Sequence, residues 1–113
     1  MSRRIDGLRA WIWQRISAVY LLGFILYLFF YFLSSSPVSF EQWSGWVAGP
    51  VVSIALALFF MMLLVHAWVG IRDVVIDYIH PLFIGALVLT LAGLSLISCG
   101  IWLARILART VLV

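Results

Sequence analysis

Three long apolar runs constrain this chain more than anything else in it: 16–33, 51–71 and 82–104, none of which contains a Lys or a Glu. Each is close to the roughly 20 helical residues needed to cross a hydrocarbon core about 30 Å thick. Backbone groups in lipid must bond within their own segment, so runs of this length imply helices. A barrel would instead show alternating polarity in segments of about ten residues. The expected fold class is all-α, an integral membrane protein with three transmembrane helices in a single membrane-anchor domain. Composition agrees, because 66% of the 113 residues are hydrophobic and only 10% charged, far from the balance of a soluble globular domain. Too little chain is left over for a soluble catalytic domain.

The first run is too long for a signal-peptide core, which spans about 7 to 15 residues, and Phe29, Phe30, Tyr31 and Phe32 fill the stretch where cleavage would occur. It is expected to be retained. All seven basic residues are arginines. Arg3, Arg4, Arg9 and Arg15 precede the first run, Arg72 opens the second loop, and none lies between Ser34 and Pro50. Five against two therefore predict a cytoplasmic N-terminus, with Arg105 and Arg109 at the far end running against the rule. The net charge of +3 fits anionic headgroups or an acidic partner surface and does not suggest nucleic acid.

Trp11, Trp13, Trp43, Trp46 and Trp102 fall near span ends, where an amphipathic ring anchors in the interface. Phe40, Trp43, Trp46 and Val47 could form a short helix along the membrane surface. Pro50 suits the first turn of the second span, and Pro81 forces a tight break before the third. In the third span Gly100, Ala104 and Ala108 recur every four residues, with Gly93 further in, giving a face smooth enough for close helix contact. Cys99 is the single cysteine, so no disulfide can form within the chain.

Chemistry concentrates in the stretch from His66 to Pro81. At about 100° per residue, Gly70, Asp73 and Asp77 fall within roughly 40° of His66, so a polar stripe descends from mid-membrane to the edge of the second span. A histidine at such depth needs a partner: a haem iron, a proton relay with Asp73 and Asp77, or a hydrogen bond to a neighbouring helix for purely structural reasons. A glycine one turn on removes the side chain that would collide with a flat macrocycle, and Arg15 and Arg72 near span ends suit propionates. His80 is 14 residues past His66, about 21 Å along a helix, too far to share its iron. A second axial histidine must come from another chain. At the edge, the Tyr78 hydroxyl beside Asp77 could donate to a quinone carbonyl, or Tyr78 could simply anchor in the interface.

His66-Ala67-Trp68-Val69-Gly70, followed by Asp77-Tyr78 and Pro81-Leu82, resembles the hydrophobic membrane anchor subunit of bacterial succinate dehydrogenase, respiratory complex II, in its haem b-containing form. Arg15-Ile16-Ser17-Ala18 is similar to the family's Arg-x-x-Ala entry to the first helix. The resemblance implies an inner-membrane subunit in which His66 is an axial haem b ligand opposite a histidine of a companion cytochrome b subunit. Arg15 would be near the propionates, and Tyr78 with Asp77 would serve the ubiquinone site. It also implies a flavoprotein and an iron-sulfur subunit, with no catalytic residue for succinate on this chain. Arg72, two positions after Gly70, is a spacing shared with the larger cytochrome b subunit. The Asp77-Tyr78 pair and Gln14-Arg15 in place of a His-Arg dipeptide favour the small anchor. A fumarate reductase anchor is an alternative, and a homo-oligomeric transporter with a path through His66, Asp73 and Asp77 is another.

Overall fold

The computed structural model describes residues 2–37 and 39–112, and among them every regular element is helical: α1 Ser2–Ser34, α2 Phe40–Ala48, α3 Pro50–Tyr78 and α4 Leu82–Leu112. The side chains of Arg3 and Arg4, two of the charges that set the expected orientation, lie outside the described residues. α1, α3 and α4 are each long and apolar enough to cross a membrane, and the chain is a multi-pass membrane protein. Its dimensions, 51 × 24 × 22 Å, are those of a narrow bundle one membrane tall.

All three spanning helices outrun the apolar runs. α1 begins 14 residues before Ile16, while α3 continues to Tyr78 and α4 to Leu112. The reason is that hydropathy ends where the hydrocarbon ends, whereas backbone bonding does not. Arg, Asp, Trp and Leu all tolerate helix, so each element continues through the interface until a real stop signal. For α1 that stop is the serine cluster before Pro37, where the Ser34 hydroxyl bonds back to Phe30 O at 3.0 Å. For α3 it is His80-Pro81, a cis peptide, with the Ile79 N–H closing the last turn on Val75 O.

Phe40, Trp43, Trp46 and Val47 do fall in one short helix, α2. Ser39 caps it by accepting from Gln42 N at 3.2 Å, with Glu41 in the first turn. Only Gly49 separates α2 from α3, whose first residue is Pro50, where the missing N–H costs nothing. α3 is the central element, with α1 packed on one side and α4 on the other, and α1 and α4 lack close backbone contact among the described residues.

The glycines of α4 are used inside the chain, while Ala104 and Ala108 of the same stripe are exposed. A Cβ on Gly100 would come within 3.1 Å of Leu64 Cδ1, and one on Gly93 within 3.4 Å of the Trp68 ring. Gly85 faces Val75, one of the most enclosed apolar side chains. The glycine part of the stripe is therefore the α3–α4 seam, and these glycines are not free to pack against a second copy. Elsewhere the surface is that of a lipid-facing protein, with Leu82, Val51, Phe83 and Val19 fully on the outside and few apolar residues buried.

Candidate functional site

The one polar cluster between spanning helices lies where α1 crosses α3. His66 stands 16 residues after Pro50 and 12 before Tyr78, about 24 Å and 18 Å along the axis, so it is near the middle of α3. Its Nδ1 is 3.1 Å from the hydroxyl of Ser17, whose residue is wholly buried at 0% exposure. The same hydroxyl lies 3.0 Å from Gln14 O, one turn back on α1. His66 Nε2 has no hydrogen-bond partner among the described residues, and it is not one of the atoms sealed inside the chain.

One turn along α3, the open side of Gly70 faces α1 as well. A Cβ there would meet Gln14 Nε2 at 3.7 Å, an ordinary contact. Gln14 Oε1 is enclosed and has no hydrogen-bond partner, which for a buried amide oxygen costs about 1–3 kcal/mol. Gln14, Ser17, His66 and Gly70 thus form one seam. Tyr20 lies on the same helix further from the polar end, and its hydroxyl donates to Ala55 O at 2.9 Å.

The remaining residues singled out by the sequence are placed differently. Arg15 is exposed, with its guanidinium 5.4 Å from the centre of the Trp11 ring. Asp73 and Asp77 continue the His66 side of α3 but are exposed, and no ion pair ties them to Arg72 or to any other described residue. Tyr78 is 79% exposed at the end of α3. The structure brings His66 and Gly70 together and leaves Asp77 and Tyr78 exposed at the end of α3, with Arg15 exposed against Trp11. Ser17 and Gln14 are the members that sequence reasoning missed. Their signal was present, since both are polar and three apart on α1, but nothing in one sequence said which residue of another helix they would meet.

A cavity of about 500 Å³ lies at the other end of the bundle, beneath α2 among Leu28, Trp46, Leu56, Phe60 and Leu107. It is apolar and remote from His66, so its size carries no chemistry. No group of three or more His, Cys, Asp or Glu side chains that could hold a free metal ion occurs among the described residues. One imidazole can offer a single bond to a metal that already has its own planar ligand set.

The fold is a hydrophobic three-span bundle with a histidine near the middle of α3, and over residues 3–104 the chain matches the succinate dehydrogenase/fumarate reductase transmembrane subunit family. It belongs to that family. It is similar to the succinate dehydrogenase hydrophobic membrane anchor subunit of Coxiella burnetii (strain RSA 493 / Nine Mile phase I), with 29% identity over 101 residues, covering 89% of this chain and 86% of that one.

Proposed function

We propose that this chain is the small membrane anchor of a succinate:quinone oxidoreductase, that it binds haem b through His66 together with a partner cytochrome b subunit, and that it helps to form the ubiquinone site. The observation that carries the reading is the state of His66. One ring nitrogen is held inside the chain and the other, not sealed within it, has no partner among the described residues, in the middle of a spanning helix. A donor in that setting stays unpaired unless something beyond this chain meets it. A haem fits: it needs one imidazole nitrogen from this chain, an apolar wall, and space beside the helix. It supplies one-electron redox chemistry when bound.

The chain's own residues then have distinct work. His66 offers the axial nitrogen, Gly70 keeps the next turn of α3 low, and the exposed Arg15 is free to pair with a propionate carboxylate once drawn off Trp11. At the end of α3, Tyr78 and Asp77 lie free of the bundle, where the hydroxyl can donate to a quinone carbonyl and the carboxylate can relay a proton.

The arginine count supports a cytoplasmic N-terminus, which puts Tyr78 on the cytoplasmic side of the inner membrane. Iron-sulfur and flavoprotein subunits that oxidise succinate would deliver electrons at that side. The test is to purify the complex through a tag on this chain. Expected are large soluble subunits in the eluate and the absorption bands of a low-spin haem. A chain that purifies without either is not this anchor.

A further inference from the structure

We infer that Ser17 is the positioning residue that sets the tautomer of His66, holding the proton on Nδ1 and presenting the Nε2 lone pair outward. The inference rests on the reading of His66 as a haem ligand and deepens it. A serine hydroxyl has one hydrogen and two lone pairs, and two neighbours compete for it here: Gln14 O at 3.0 Å and His66 Nδ1 at 3.1 Å. If Ser17 donates to Nδ1, the contact with Gln14 O has no hydrogen in it. If Ser17 donates to the carbonyl one turn back, the usual habit of a mid-helix serine, its oxygen is free to accept Nδ1–H and both contacts become hydrogen bonds.

In a wholly buried position, with no water to serve as substitute, the arrangement that makes both bonds prevails. With the proton on Nδ1, Nε2 is the nitrogen whose unshared pair can ligate a metal. An acceptor on the far nitrogen also orients the ring and raises the basicity of the ligating one. Ser17 reaches His66 across 49 residues of sequence, so the device exists only once α1 has packed on α3.

The test uses the purified holo-complex carrying Ser17→Ala, which removes the acceptor, and Ser17→Cys, which keeps the volume but leaves a weak one. Haem midpoint potential and the low-spin ferric electron paramagnetic resonance spectrum are measured on the haem-bearing complex, with His66→Ala as the reference. A less basic imidazole disfavours ferric iron. Both variants are therefore expected to shift the ferric/ferrous equilibrium about tenfold toward ferrous, about 59 mV for a one-electron couple, and to move the g values. Unchanged potential and g values in both variants overturn the inference. A shift in Ser17→Ala that is absent from Ser17→Cys reports lost volume and overturns it too. If instead His66→Ala keeps the low-spin spectrum, the ligand reading itself has failed.

Discussion

The two ends of the α1–α3 pair are built on opposite principles. At the end covered by α2, Phe24 stacks on Phe59 at 4.8 Å and Tyr31 on Trp46 at 4.5 Å, and Phe32 and Trp43 add further rings. These contacts are made within the chain and leave no polar atom unpaired at the Tyr20 hydroxyl, which bonds to Ala55 O. At the other end, the seam of Gln14, Ser17, His66 and Gly70 holds one orphaned amide oxygen and one unpartnered ring nitrogen. One end is closed by rings and the other holds polar atoms without partners among the described residues. In a lipid environment, where burying apolar surface brings little, close ring packing holds helices together, and an intramembrane polar group is by default a candidate functional group.

The sharpest way to break that contrast is His66→Ala, which is expected to abolish the low-spin haem signal while the aromatic end keeps the chain folded and membrane-inserted. An unaltered absorption spectrum would mean that the polar seam is structural only.

Next in size is Trp46→Ala at the opposite end. Trp46 pairs with Tyr31, Phe32 and Trp43, and aromatic pairs contribute about 0.5–1.5 kcal/mol each, so thermal stability of the purified complex should fall by about 1.5–4.5 kcal/mol. Haem potential should not move. A changed potential would show that the ends are coupled.

Gly70→Ala probes the seam from the other side. A methyl there meets Gln14 at only 3.7 Å, so the chain alone tolerates it and helix propensity favours it. Any loss must come from something lying against α3 from outside. With overpacking at about 1–3 kcal/mol, haem affinity should drop roughly 5- to 150-fold, read from haem content against washing. Full retention would mean that no macrocycle covers Gly70.

The smallest expected effect is Tyr78→Phe, which keeps the ring and its interfacial anchoring while deleting one hydroxyl. The loss of a hydrogen bond of about 0.5–1.5 kcal/mol, or more if the quinone oxygen stays buried and unpaired, should lower quinone reduction roughly three- to a hundredfold. Succinate oxidation with a soluble acceptor should stay near normal. Quinone reduction at the wild-type rate would make Tyr78 an anchor and nothing more.

Much of this molecule could be read without coordinates, because lipid leaves the backbone few options. Three uncharged apolar runs had to be helices, Pro50 and Pro81 had to sit at their edges, and Phe40, Trp43, Trp46 and Val47 suited a short helix between them. The His66 and Gly70 register followed from helical periodicity alone. The ends of α1, α3 and α4 did not, because hydropathy measures the membrane rather than the helix.

Tertiary structure decided which polar residue meets which. Ser17 and His66 are 49 positions apart, and no local rule couples them; only the crossing of α1 on α3 brings hydroxyl and imidazole to 3.1 Å. The same holds for Gly93 and Gly100, legible as a smooth face but assigned to Trp68 and Leu64 of α3 only by the packing. Periodicity states which side of a helix a residue occupies, since that depends on bonds within one segment. The neighbour on that side is chosen by the fit between two segments, and a single sequence does not contain that fit in any local form.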